Sequence, residues 1–142
     1  MKNINSTFTI LEHTADIGLK VYGSSLSNLF EEAVSAFISL LVKNSKTRFN
    51  HTTEFEIAGE DYIDLMIRCL SEILYLFEAE SLIVNRIEIK SITSKKLTAT
   101  LKVTEFDPAT HKIINNIKAV TYHNASINKA DDGWRSIIYF DL

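Results

Sequence analysis

Hydrophobic positions along this chain recur with two periods, and the switches between them divide it into elements. Ile17, Leu19 and Val21 alternate with Gly18, Lys20 and Tyr22, the period of a half-buried strand. Residues 7–11 predict a short strand before it, and residues 1–6 are polar and loose. Gly23-Ser24-Ser25 reads as a turn and an N-cap. From there Leu26, Leu29, Phe30, Ala33, Val34, Phe37, Leu40 and Leu41 recur at helical spacing, an apolar stripe facing a core. Lys43-Asn44 predicts the end of this helix, since basic charge suits a helix C-terminus and Asn tolerates a left-handed cap.

A strand region follows over residues 47–58, with Phe55 and Ile57 on one face. Past Gly59, the acidic residues Glu60, Asp61 and Asp64 suit the first turns of a second helix. Its apolar face is Tyr62, Leu65, Met66, Cys69, Leu70, Ile73, Leu74 and Phe77. Arg68 stands four residues from both Asp64 and Glu72, which predicts an exposed polar face. Beyond Leu82 the period returns to two. Ile87 and Ile89 alternate with polar residues, as do Leu97, Ala99, Leu101 and Val103, with Ser94-Lys95-Lys96 as the hairpin between them. Residues 105–116 form a polar excursion around Pro108. Residues 117–122 and 125–128 predict strands, Asp131-Asp132-Gly133 a turn, and residues 134–140 the last strand. Two helices set apart from a run of hairpins predict an α+β fold, a single domain in which the helices pack on a mostly antiparallel sheet.

Composition narrows the function. A chain of 142 residues, 46% of them hydrophobic, buries a core without staples. A net charge of −3 argues against a duplex-DNA binder that works by neutralising phosphates. The lone Cys69 rules out a disulfide framework and a multi-cysteine zinc site, and its place on a helix stripe marks it as core. No segment has the form of a signal peptide or of a membrane span. The expected setting is therefore the cytoplasm. There is no glycine-rich phosphate loop and no serine in a nucleophile-elbow setting, and His51 and His111 read as surface residues.

One stretch concentrates polar chemistry between apolar runs: Glu12-His13-Thr14-Ala15-Asp16-Ile17-Gly18. Taken alone it reads as a turn in which Thr14 and Asp16 bond backbone amides and His13 packs. The other end of the chain offers a second reading. The Asp141 carboxylate sits beside the α-carboxylate of Leu142, and the two repel unless a positive charge lies between them. If the first and last strands are neighbours, Asp16 adds a third carboxylate. Such an all-oxygen site suits Ca²⁺ or Mg²⁺, and His13 makes it friendlier to zinc or manganese. In the run Lys118-Ala119-Val120-Thr121-Tyr122-His123, Lys118, Val120 and Tyr122 share one face. That face reads as a protected edge strand or as a contact for phosphate or a partner.

Four blocks, in order across almost the whole chain, resemble the archease family. They are the Glu12-to-Gly18 stretch, Glu72-Ile73-Leu74-Tyr75-Leu76-Phe77, Ile117-Lys118-Ala119-Val120-Thr121-Tyr122-His123, and the ending Tyr139-Phe140-Asp141-Leu142. The resemblance implies a non-enzymatic protein cofactor of the RtcB-type, GTP-dependent RNA ligase. Such a cofactor promotes guanylylation of the ligase and multiple turnover in tRNA splicing and RNA repair. It touches RNA only through the ligase and engages neither DNA nor membrane. The resemblance also implies a divalent metal, with Ca²⁺ favoured over Mg²⁺, Mn²⁺ or Zn²⁺. Its expected ligands are Asp16 and Asp141, with Leu142 as a third contributor. Lys118, His13 and His123 are the further candidates for partner activation. A chaperone-like adaptor, and a metal-dependent hydrolase using Asp16 and Asp141, are the competing readings.

Overall fold

The alternating run after Asp16 does become a strand, but its partner comes from the far end of the sequence. The computed structural model describes residues 7–12, 16–44 and 51–142. Strand β1 (Phe8–Glu12) pairs antiparallel with β2 (Asp16–Gly23). On its other side β2 pairs antiparallel with the last strand, β9 (Gly133–Asp141), which in turn pairs with β8 (Ala119–Ala130). The resulting sheet has the order β1-β2-β9-β8. A second sheet, β4-β6-β5, is built from β4 (His51–Ala58), β5 (Leu82–Ile92) and β6 (Lys96–Glu105). A two-stranded pair joins β3 (Val42–Asn44) to β7 (His111–Ile113).

The helices α1 (Leu26–Leu41) and α2 (Tyr62–Glu80) supply the apolar stripes that close a core against these sheets. Ile17, Leu19 and Val21 of β2 and Ile138 and Phe140 of β9 are all buried there. The Phe37 ring of α1 stacks on Phe140 at a centroid distance of 5.0 Å. By alternation the residues between them, Asp16, Gly18, Tyr139 and Asp141, point to the opposite face. Among the described residues no helix is long and apolar enough to cross a membrane.

Local signals set where the helices start. The Ser25 Oγ accepts from the Asn28 amide at 3.0 Å, and the Asn28 side chain accepts from the Ser24 amide at 2.9 Å. Asp61 caps α2 in the same way, accepting from the Asp64 amide at 2.8 Å. The end of α1 differs from the expectation at Lys43-Asn44. The helix stops at Leu41, and Val42 is already extended. The cause is tertiary: the Ile114 amide donates to the Leu41 carbonyl, and the Asn115 side-chain amide to the Leu40 carbonyl, both at 2.8 Å. The chain's own distant segment thus satisfies the helix's last acceptors, and β3 follows at once.

That segment corrects the surface assignment of His111 as well. The polar excursion folds back through β7, and His111 is only 7% exposed. Its Nδ1 accepts from the Asp107 amide at 2.8 Å, and its ring lies 5.6 Å from that of Phe106. The two strands expected over residues 117–128 are one strand, β8, interrupted between Thr121 and Ser126 where its register with β9 jumps. Asn124, with φ +55°, turns the backbone at that bulge.

Gly18 holds its place for want of space. A Cβ there would lie 2.7 Å from Cε1 and 2.9 Å from Cδ1 of Tyr139, whose ring crosses β2 at this point. Gly18→Ala should therefore displace the ring and cost about 1–3 kcal/mol of stability, as other overpacked sites do. Chemical denaturation measures the loss. A variant as stable as the wild type would show that the ring moves aside freely.

Candidate functional site

Asp16 opens β2 and Asp141 closes β9, and the register sets them directly opposite one another. The sequence set as a condition that the first and last strands be neighbours; the first strand, β1, pairs with β2, and it is the second strand that lies beside β9. Cross-strand partners share a face, with Cβ atoms about 4.5–5.5 Å apart, and like charges so placed destabilise each other. Ala119 opposes Asp141 from the other side, so three strands converge on this corner of the sheet. Asp141 itself is exposed. One Asp16 oxygen, Oδ1, is buried and has no hydrogen-bond partner among the described residues. A buried acceptor beside a second carboxylate lacks a positive partner, and a divalent cation supplies one. The residues present therefore fit a cation. Among the described residues no group of three or more His, Cys, Asp or Glu side chains gathers closely enough to form a complete metal cage.

The remaining predicted positions fall around this corner or outside it. Lys118 is exposed, and its backbone amide donates to the Asp141 carbonyl at 2.8 Å. Leu142 follows Asp141 and is 38% exposed. His123 is exposed on the β8 bulge, with Nε2 3.2 Å from the Asn124 side-chain nitrogen. His13 lies outside the described residues. Cys69 is fully buried, and burial pushes its thiol up to about 12, the behaviour of a core residue and not of a nucleophile.

The structure also assembles a cluster that sequence reasoning placed elsewhere. Asp64, expected on an exposed helix face, is only 8% exposed. The Tyr122 hydroxyl donates to its Oδ1 at 2.5 Å. Its Oδ2 accepts from the Glu60 amide at 2.8 Å and from Arg68 Nε at 2.9 Å. The Asp64–Arg68 half was legible as an i,i+4 pair. Tyr122 is 58 residues further along, and no local pattern points to it. This bond ties the start of the β8 bulge to α2. The Tyr122 hydroxyl, then the Glu60 amide and Arg68, hold the Asp64 carboxyl below its ordinary 3.8. The same bond, with burial, raises the Tyr122 phenol above 10.0.

Because the folded Asp64 value lies below the unfolded one, its contribution to stability is complete above the unfolded value of 3.8 and fades as pH falls through the folded one. For Tyr122 the folded value is raised, so its contribution is complete below 10.0 and fades as pH rises through the folded value. Asp64→Asn should thus unfold at lower denaturant than the wild type at pH 7, with the gap narrowing as the solution is acidified below 3.8. A gap independent of pH would show that the carboxylate charge is not what holds the cluster.

Comparison with known proteins follows the same architecture. The family model described as "Archease protein family (MTH1598/TM1083)" matches residues 8–142. Protein archease of Pyrococcus abyssi is 34% identical over 135 residues, covering 92% of this chain and 95% of its own. The solution structure of Methanobacterium thermoautotrophicum protein 1598 superposes with a TM-score of 0.78 at 26% identity, covering 95% of this chain and 98% of that one. A crystal structure from Thermotoga maritima, described as an archease and possible chaperone, superposes with a TM-score of 0.62 at 23% identity, covering 93% and 94%.

Proposed function

This chain belongs to the archease family, and from that premise we propose that it is a protein cofactor of an RtcB-type RNA ligase. In this role it promotes guanylylation of the ligase and multiple turnover in tRNA splicing and RNA repair. The catalytic groups belong to the ligase, contact with RNA runs through it, and the setting is the cytoplasm. The observation that carries the reading is the Asp16–Asp141 pair, carboxylate residues set opposite each other on β2 and β9, one with a buried oxygen that has no partner among the described residues.

Asp16 and Asp141 are the ligands proposed for a divalent cation, Ca²⁺ first, with Leu142 as the third candidate. Hard oxygen donors favour that choice over softer metals. A cation held there supplies positive charge between the carboxylates and a charged tip for docking near phosphates. Lys118, whose backbone amide bonds the Asp141 carbonyl, adds an exposed basic residue next to that strand end. Together these groups favour the nucleotide-ready conformation of the partner by binding it better than the alternatives. His13 and His123 remain candidates for contacts within the same encounter.

Two measurements test the reading. Calcium should raise the melting temperature of the wild type, whereas Asp16→Asn should be insensitive to calcium and at least as stable as the wild type in chelator. A multiple-turnover ligation assay with the cognate ligase should show stimulation that Asp16→Ala and Asp141→Ala each abolish while remaining folded. Normal stimulation by both variants would overturn the assignment. Suppression of aggregation without ligase stimulation would replace it with the chaperone-like adaptor. Metal-dependent phosphoester turnover by the protein alone would replace it with the hydrolase.

A further inference from the structure

Around the corner from the Asp16–Asp141 tip, on the helix-facing side of β8, lies a groove of about 510 Å³. Its floor is α2, with Glu72 and Tyr75. One wall is β4, with Glu56, and the other is β8, with Val120 and Tyr122. Both walls are edges: β4 ends the β4-β6-β5 sheet, and β8 ends the β1-β2-β9-β8 sheet. Edge strands ordinarily carry lysine or proline against intruding strands. The exposed β4 residues that line this groove are Glu56 and Ala58, so this edge carries acid where lysine is usual.

Three features of the groove point to one kind of occupant. First, Tyr75 and Tyr122 are 53% and 56% exposed, the two most exposed large hydrophobic side chains among the described residues. Both line this one groove, and exposed tyrosines gathered in a concave site are the usual anchors of a protein interface. The Tyr122 ring is pre-set by its bond to buried Asp64, so little order is lost when a partner packs on it. Second, the charge is acidic. Arg68 is already held by Asp64, Glu56 has only the exposed Lys96, and Glu72 makes no ion pair with any described residue. Third, the groove and the tip are joined through one strand. Val120, in the groove wall, opposes Phe140 on the helix-facing side, and its neighbour Ala119 opposes Asp141 on the other face.

We infer that this groove is the docking surface for a basic, extended segment of the partner ligase. Arginine or lysine of that segment meets Glu72 and stacks on Tyr75 and Tyr122, and its backbone lies along an open strand edge. A ligase that handles RNA carries basic surface to meet phosphates, and such surface is complementary to this groove. The inference rests on the ligase reading of the Asp16–Asp141 tip and adds a second, separable contact to it.

The test measures binding of the full chain to the full cognate ligase by calorimetry at low and high salt. Wild-type affinity should fall as salt rises. Tyr75→Ala and Glu72→Arg should each weaken binding by about tenfold or more, the size of an interface anchor's loss, without lowering the melting temperature. Ile113→Ser, at an exposed apolar position on β7, should bind as the wild type does. Wild-type affinity in both groove variants, with binding still lost in Asp16→Ala, would overturn the groove and leave the tip standing. Failure of the wild type to bind any cognate ligase would overturn the ligase reading and the groove with it. A self-associating wild type that Tyr75→Ala converts to monomer, with ligase affinity unchanged, would reassign the groove to a second copy of this chain.

Discussion

Everything at the candidate site depends on where β9 lies. The last strand is not an edge but the interior of its sheet, hydrogen-bonded to β2 on one side and β8 on the other. Its apolar residues Ile138 and Phe140 are buried against α1, where the Phe37–Phe140 stack fixes the strand along its length. A slip of one residue would turn that apolar set outward, so burial of one face pins the register. With the register pinned, the Asp16 and Asp141 backbones stand opposite each other. Packing on the core face thus places two acidic residues together on the other face.

A second tie stabilises the neighbouring strand. β8 loses its register with β9 at the bulge after Thr121 and would be weakly held there on sheet bonds alone. The Tyr122 hydroxyl compensates by reaching Asp64, whose carboxylate is already oriented by the Glu60 amide and Arg68 at the start of α2. The start of one helix therefore fixes the segment that runs from Lys118 at the tip to Tyr122 in the groove. Both proposed contacts, the carboxylate tip and the acidic groove, hang on the same short length of β8.

Two side chains with chemistry of their own are taken up by the fold. Cys69 is sealed in the core, and His111 is occupied by the Asp107 amide. The described surface carries charge, exposed aromatic area and open strand edges, all of them means of binding.

The sequence alone determined the elements that rest on local physics. The period-two run of β2, the stripes of α1 and α2, and the cap at Ser25 all depend on residues within a few positions of each other. It also marked Asp16 and Asp141 as a pair worth testing, because carboxylates beside apolar strands are conspicuous. Tertiary structure decided the rest. It stopped α1 at Leu41, by supplying Ile114 and Asn115 as partners for the last carbonyls. It buried His111 and Asp64, both polar residues in stretches that read as exposed, by bringing distant partners to them. It also merged two expected strands into β8 across a bulge. Each of these outcomes comes from a contact between residues far apart in the chain, and no periodicity records such a contact. The opposition of Asp16 and Asp141 belongs to both accounts: the residues were legible, but only the burial of Phe140 and Ile17 on the other face put them opposite each other.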